Sequence, residues 1–126
     1  EYRSFMKTQL TDLLQNHQFE GFFIDMTFWP GICQCDSCKS KYKAETGNEI
    51  PQTIDWNNPE WCRFQSLREQ WLLDYASFVN DAIHSVAPGL PIYHNFAVGL
   101  FNWRWGVKFD IRHFNTFLGG DFYGSP

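Results

Sequence analysis

The chain has 126 residues, 44% of them hydrophobic and 19% aromatic, and a formal charge of −4. That length suits one domain with a buried core, and 13 Phe, 6 Trp and 5 Tyr are incompatible with the composition of a disordered chain. No apolar run reaches the roughly 18 residues of a membrane span, no basic-then-apolar leader is seen at the start, and no Lys/Arg block offers the clustered charge that phosphate neutralisation needs, so neither a membrane nor a nucleic acid is expected as partner.

The first residues, Glu1-Tyr2-Arg3, already lie inside a helical pattern, and Gly124-Ser125-Pro126 follows directly on an apolar run; a segment of a longer protein is expected. Met6, Leu10, Leu13 and Leu14 give a helix face over residues 2–16. Phe19 to Ile24 is almost continuously apolar and ends in Asp25, as a strand buried on both faces would. Trp29-Pro30-Gly31 is loop chemistry. Asp36 is placed to cap a short helix over about 37–45 that Gly47 ends. Asn58-Pro59 opens a long helix, 59 to about 86, with a stripe of Phe64, Leu67, Trp71, Tyr75, Phe78, Ala82 and Val86. Leu90 to Phe96 reads as a second strand carrying His94-Asn95 at its end. A Trp-rich loop covers 97–108, a short helix is expected near 109–114, and Thr116 to Asp121 reads as a third strand that again ends in a carboxylate.

Helices alternating with apolar strands predict an α/β fold with about three parallel strands and crossover helices. An open doubly wound sheet and a slice of a (β/α)8 TIM barrel both satisfy the pattern. No G-x-G-x-x-G frame follows any strand, which weakens a nucleotide-binding reading. Polar side chains recur instead at strand ends, at Asp25, His94-Asn95 and Asp121, where a barrel carries its active site. Each has an ordinary alternative as a cap or a strand-end hydrogen-bonding group.

Cys33, Cys35 and Cys38 form a C-x-C-x-x-C cluster. Thiolates this close can hold a structural zinc at about 2.3 Å each. Three ligands do not close such a site, so Cys62, a histidine or a residue outside this chain must complete it. A disulfide or reduced free thiols are the alternatives. A redox role would need a thioredoxin-like context that the sequence lacks. No organic cofactor is indicated.

Phe22 to Gly31, followed by the three cysteines, resembles a family of barrel glycoside hydrolases catalogued as hypothetical glycosyl hydrolase 6, which includes α-L-fucosidases. Ile50 to Trp56 with Pro59 and Trp61, His94-Asn95-Phe96, and Gly120 to Gly124 are similar to the same family. The cysteine cluster also resembles the zinc-binding cysteines of family 42 β-galactosidases, where a fourth cysteine comes from earlier in the chain. The resemblance implies that residues 1–126 are the central part of a catalytic barrel, strands four to six, with an incomplete active site.

The implied chemistry is hydrolysis of a terminal sugar by a retaining exo-glycosidase. Two carboxyl groups then flank the scissile bond, about 5–5.5 Å apart for retention and about 6.5–9.5 Å for inversion. The fucosidase-like reading makes Asp25 the nucleophile, and the β-galactosidase-like one makes it the acid/base. Asp121 is expected to be the partner carboxylate or to bind a sugar hydroxyl. His94 and Asn95 offer donors and acceptors. Trp29, Trp103 and Tyr123 are candidate sugar-contacting aromatics, with local packing the alternative. Trp56, Trp61 and Trp71 are assigned to packing, and Glu45, Glu49, Glu60 and Glu69 to solvated charge. A catalytically inactive carbohydrate-binding barrel piece and a zinc-bound interaction domain remain alternatives. A homo-oligomer is expected for the full-length protein, and the compartment stays open between cytoplasmic and exported.

Overall fold

A computed structural model describes residues 1–96, 102–117 and 119. In chain order the elements are helix α1 (Tyr2–Asn16), strand β1 (Phe22–Ile24), helix α2 (Asp36–Thr46), helix α3 (Pro59–His84) and strand β2 (Ile92–His94), followed by 3-10 turns at Trp103–Trp105 and Phe109–Phe114. Among the described residues the sheet has two strands, parallel, with Phe22 opposite Ile92 and Ile24 opposite His94. The fold class is therefore mixed α/β around a small parallel sheet. Of the expected third strand, Leu118, Gly120 and Asp121 lie outside the described residues. Its first residue does reach β2: Thr116 N–H donates to the Ile92 carbonyl at 2.8 Å. The neighbouring bonds on that edge are made by side chains instead. Asn115 Oδ1 accepts from His94 N–H at 2.7 Å, and Thr116 Oγ1 accepts from Ile92 N–H at 2.9 Å. Residues 115–116 thus satisfy the outer edge of β2 without extending as a strand.

Local signals explain the helix ends. Asn58 Oδ1 accepts from Glu60 N–H at 2.9 Å and Pro59 opens α3, so one free N–H is capped and another is absent by chemistry. Gly47 closes α2 at φ +78°, a conformation that disfavours a Cβ. The start of α2 differs from expectation. Cys35 is the N-cap, and Asp36 is the first helical residue, where its charge complements the helix dipole.

α3 is the spine. Its periodicity predicts one buried stripe, yet it is buried around much of its circumference because three separate clusters use it. Trp61, Phe64 and Trp71 pack with Tyr42 of α2 and with Ile50. Leu72, Leu73 and Ala76 pack with Phe96 and Ile111. Val79, Ala82 and Ile83 meet Leu10 of α1 and Ile92 of β2. Met6, Leu10 and Leu14, at strict i, i+4 spacing, carry the contact from α1, whereas Leu13 is 39% exposed. Two glutamates expected to be solvated keep side chains 37% and 41% exposed, at Glu45 and Glu60, and in addition anchor buried aromatics. Glu45 accepts from the Trp71 indole at 3.0 Å, and Glu60 accepts from the Tyr42 hydroxyl at 3.1 Å.

The sheet has two unlike faces. Phe22, Ile24 and Ile92 pack toward α1 and α3. On the other face Phe23, 56% exposed, lies 5.3 Å from the Tyr93 ring, and Tyr93 stacks on Phe117 at 5.2 Å.

Candidate active site and thiol cluster

Side chains alternate along a strand, so the residue after Ile24 belongs to the face away from the helices, and so does the residue after His94. Asp25 and Asn95 are those residues, and they meet. Asn95 Nδ2 donates to Asp25 Oδ1 at 2.9 Å across 70 residues of sequence. The backbone continues the ladder around them: Asn95 N–H donates to the Ile24 carbonyl at 2.9 Å, and Thr27 N–H to the Asn95 carbonyl at 3.0 Å. Met26 N–H also donates to Asp25 Oδ1, at 2.9 Å. Met26 adopts φ +58°, a left-handed conformation that is uncommon outside glycine and turns its N–H back on the carboxylate. Asp25 is exposed, with Oδ1 held twice and, among the described residues, no donor on Oδ2.

His94 points the other way. Its ring is fully buried; Nδ1 lies 3.1 Å from Thr27 Oγ1 and Nε2 lies 2.8 Å from Asn80 Oδ1 on α3. Asn80 in turn donates to the Phe114 carbonyl at 2.7 Å. Burial pushes the His94 pKa down to about 4, so the imidazole is neutral near pH 7. His94, expected to reach a sugar, is sealed behind the strand end in this structure and ties β1, α3 and the 109–114 turn together. The same alternation that pairs Asp25 with Asn95 could have separated His94 from them in the sequence. Thr27 and Asn80 had no comparable signal.

Trp29 and Trp103 are both half-buried. The Trp29 indole donates to the Arg68 carbonyl at 2.9 Å, and its ring lies so close to Gly106 that a Cβ there would sit 2.6 Å from Trp29 Cδ1. Gly106, at φ +60°, is thus required by both conformation and contact. Trp103 packs edge-on against Trp61 and Trp56, at 5.9 and 5.2 Å. Phe28 stacks on Trp105 at 4.9 Å, joining the two rim loops. Asp121 and Tyr123 lie outside the described residues.

The sulfurs of Cys33, Cys35 and Cys38 fall within 4.8 Å of one another. Ligands on a tetrahedral zinc stand roughly 3.8 Å apart at a metal–sulfur length of about 2.3 Å, so the triad fits a metal ion with little movement. Cys62 is elsewhere, its thiol directed at the Trp56 carbonyl at 3.4 Å. Backbone N–H groups at the start of α2, that of Cys38 foremost, pull the Cys35 thiol pKa down. Burial and the two neighbouring thiols push Cys38 up to about 12. Below the loop lies Arg68, 1% exposed, which donates to the Gly31 carbonyl at 2.9 Å, the Arg104 carbonyl at 2.6 Å and Gln65 Oε1 at 2.6 Å. Burial lowers the Arg68 pKa, and the charges of Glu69, Cys38 and Cys33 oppose that fall. Arg68 and Gln65 carry no sequence signal beyond a cation set among the apolar residues of α3.

An α/β unit with polar groups gathered at the C-terminal ends of parallel strands is the class that these features define. No protein-family model and no curated protein matches the chain. Among solved structures, it is similar to the α-L-fucosidase isoenzyme 2 from Paenibacillus thiaminolyticus, at 21% identity and a TM-score of 0.56. The match covers 91% of this chain and 15% of that one, so the likeness concerns the fold of a small part of a much larger protein.

Proposed function

We propose that the chain is the central part of a barrel glycoside hydrolase, acting as a retaining, α-L-fucosidase-like exo-glycosidase on terminal sugars, with Asp25 as nucleophile. The observation that carries this reading is the state of the Asp25 carboxylate. One oxygen is fixed by Asn95 and by Met26 N–H, and the other has no donor among the described residues, at an exposed strand end. A nucleophile needs that division, because a fixed oxygen orients the pair while the free one approaches the anomeric carbon. The likeness to a fucosidase fold supports the same class. So does the sheet face bearing Phe23, Tyr93 and Phe117, which in a closed barrel would point to the interior.

In the reaction, Oδ2 of Asp25 forms a bond to the anomeric carbon as the glycosidic C–O bond breaks. A second carboxyl, for which Asp121 is the candidate, gives its proton to the departing oxygen. Water then attacks the glycosyl–enzyme, returns a proton to the second carboxylate and frees Asp25. Asn95 is the positioning residue for Asp25, and Trp29, Trp103 and Tyr123 are candidate aromatic walls. His94 acts from behind, holding Thr27 and Asn80. The cysteine triad would hold a zinc ion as a structural brace for the β1–α2 loop.

The test uses the intact protein and aryl glycosides. Asp25→Asn lowers turnover by about 10⁴-fold or more, and azide restores turnover to Asp25→Gly with inverted product. Near wild-type turnover in Asp25→Asn removes Asp25 from the chemistry, and azide rescue with retained product assigns it instead to acid/base catalysis. Metal analysis of the reduced protein should return about one zinc per chain; none in an intact preparation leaves the thiols as free or disulfide-forming groups.

A further inference from the structure

The thiol loop is built over a buried cation that the glycosidase reading leaves without a role. Arg68 is 1% exposed and, among the described residues, has no carboxylate within ion-pair distance. A guanidinium withdrawn from water is destabilising by several kcal/mol unless opposite charge compensates it. Its hydrogen-bond partners are neutral: the Gly31 and Arg104 carbonyls and the Gln65 amide. Its Nε has no acceptor among the described residues. The Gly31 contact fixes the guanidinium at the root of the loop that brings three sulfurs within 4.8 Å of one another. Three thiolates around one divalent ion carry a net negative charge. Glu69, which accepts from Gln65 at 3.0 Å, acts on Arg68 only from beyond ion-pair distance, so an anionic centre and a buried cation without a direct ion pair share one corner of the fold.

We infer that Arg68 is the fixed counter-charge of the cysteine metal centre, a positioning residue that offsets its negative charge from beneath, an inference that rests on the metal reading above. The side chain combines two separable features. Its fork of N–H groups clamps the Gly31 and Arg104 carbonyls, and its charge acts on the sulfur cluster. Arg68→Lys keeps the charge and loses the fork. Arg68→Gln keeps a donor for a carbonyl and loses the charge.

The experiment titrates the intact, reduced, metal-stripped protein with Co²⁺, read by thiolate-to-cobalt absorption, and then with Zn²⁺ against a chromophoric chelator. Wild type should bind one ion, Arg68→Lys should bind nearly as tightly, and Arg68→Gln should bind about 10–100-fold more weakly, with far-ultraviolet circular dichroism matched across the three. Equal affinity in wild type and Arg68→Gln overturns the inference. Equal weakening in Arg68→Lys and Arg68→Gln also overturns it, because the fork and not the charge would then matter. If Arg68→Gln does not fold, Gln65→Glu serves in its place. The Gln65 oxygen already accepts from Arg68 at 2.6 Å, so a carboxylate there pairs the cation internally. The same loss of affinity is expected, and unchanged affinity overturns the inference. Failure of the metal reading itself looks different: wild type then binds neither ion, and the counter-charge role falls with it.

Discussion

The carboxylate corner and the thiol corner lie on consecutive stretches of chain but are assembled in opposite ways. Cys33, Cys35 and Cys38 span six residues, so one loop and the first turn of α2 suffice to gather their sulfurs. Asp25 and Asn95 are 70 residues apart and meet only because β1 and β2 are parallel with Ile24 opposite His94. The first corner is a local device that tertiary packing then loads with a buried arginine. The second exists only while the sheet, α3 and the rim loops hold together. Chemistry built from neighbours in sequence is robust to distant change, whereas chemistry built across strands inherits the stability of the whole fold.

The largest effect that would break this comparison is the loss of turnover in Asp25→Asn, which should leave metal content at the thiol corner unchanged. Next comes Phe64→Ala. Phe64 is 1% exposed in the aromatic cluster that Cys38 packs against, and its truncation should destabilise the fold by about 3–5 kcal/mol in urea unfolding. The fraction that remains folded should turn over substrate normally.

His94 gives a pH signature for the sheet-dependent corner. Folding holds its pKa at about 4, below the ordinary 6.5, so the unfolded chain takes up a proton before the folded one does. The stabilisation is present above about pH 6.5 and is lost as pH falls toward 4, amounting to about 3 kcal/mol at the acid end. Denaturant unfolding at a series of pH values should show that slope in wild type and a flatter one in His94→Gln. An unchanged slope would assign the acid sensitivity to other groups.

Asn95→Ala sharpens the comparison on the carboxylate side. It removes a charge-assisted hydrogen bond from Asp25, and kcat should fall by about 10–100-fold, while KM for the same aryl glycoside changes little. A loss confined to KM would mean that Asn95 touches substrate and does not orient the carboxylate. The smallest effect is Asn58→Ala, which uncaps α3 and should lower stability by about 1 kcal/mol with no effect specific to either corner.

Much of the local organisation was legible in the sequence. Met6, Leu10 and Leu14 lay out the buried side of α1, Asn58-Pro59 marks the start of α3, and Gly47 marks the end of α2. These features depend on residues within a few positions of one another, so periodicity and cap chemistry report them directly. What stayed hidden from the sequence shares one origin. Glu45 and Glu60 are solvated as expected, but nothing nearby in sequence shows that they also reach the Trp71 indole and the Tyr42 hydroxyl. His94 looked like a sugar ligand because its neighbour Asn95 is at the strand end, and the choice between their faces depends on which side α3 covers.

What the sequence determined by itself was the order of the helices and of the first two strands, the carboxylate waiting at the end of β1 and the close spacing of three cysteines, because each is a matter of residue type and short-range periodicity. The tertiary structure alone decided that Asn95 grips Asp25, that His94 turns inward to Asn80, and that Arg68 lies buried against the Gly31 carbonyl at the root of the thiol loop. Those outcomes follow from strand register and from the faces that α3 presents to its neighbours. Such relations bring together groups tens of residues apart, and no local pattern encodes them.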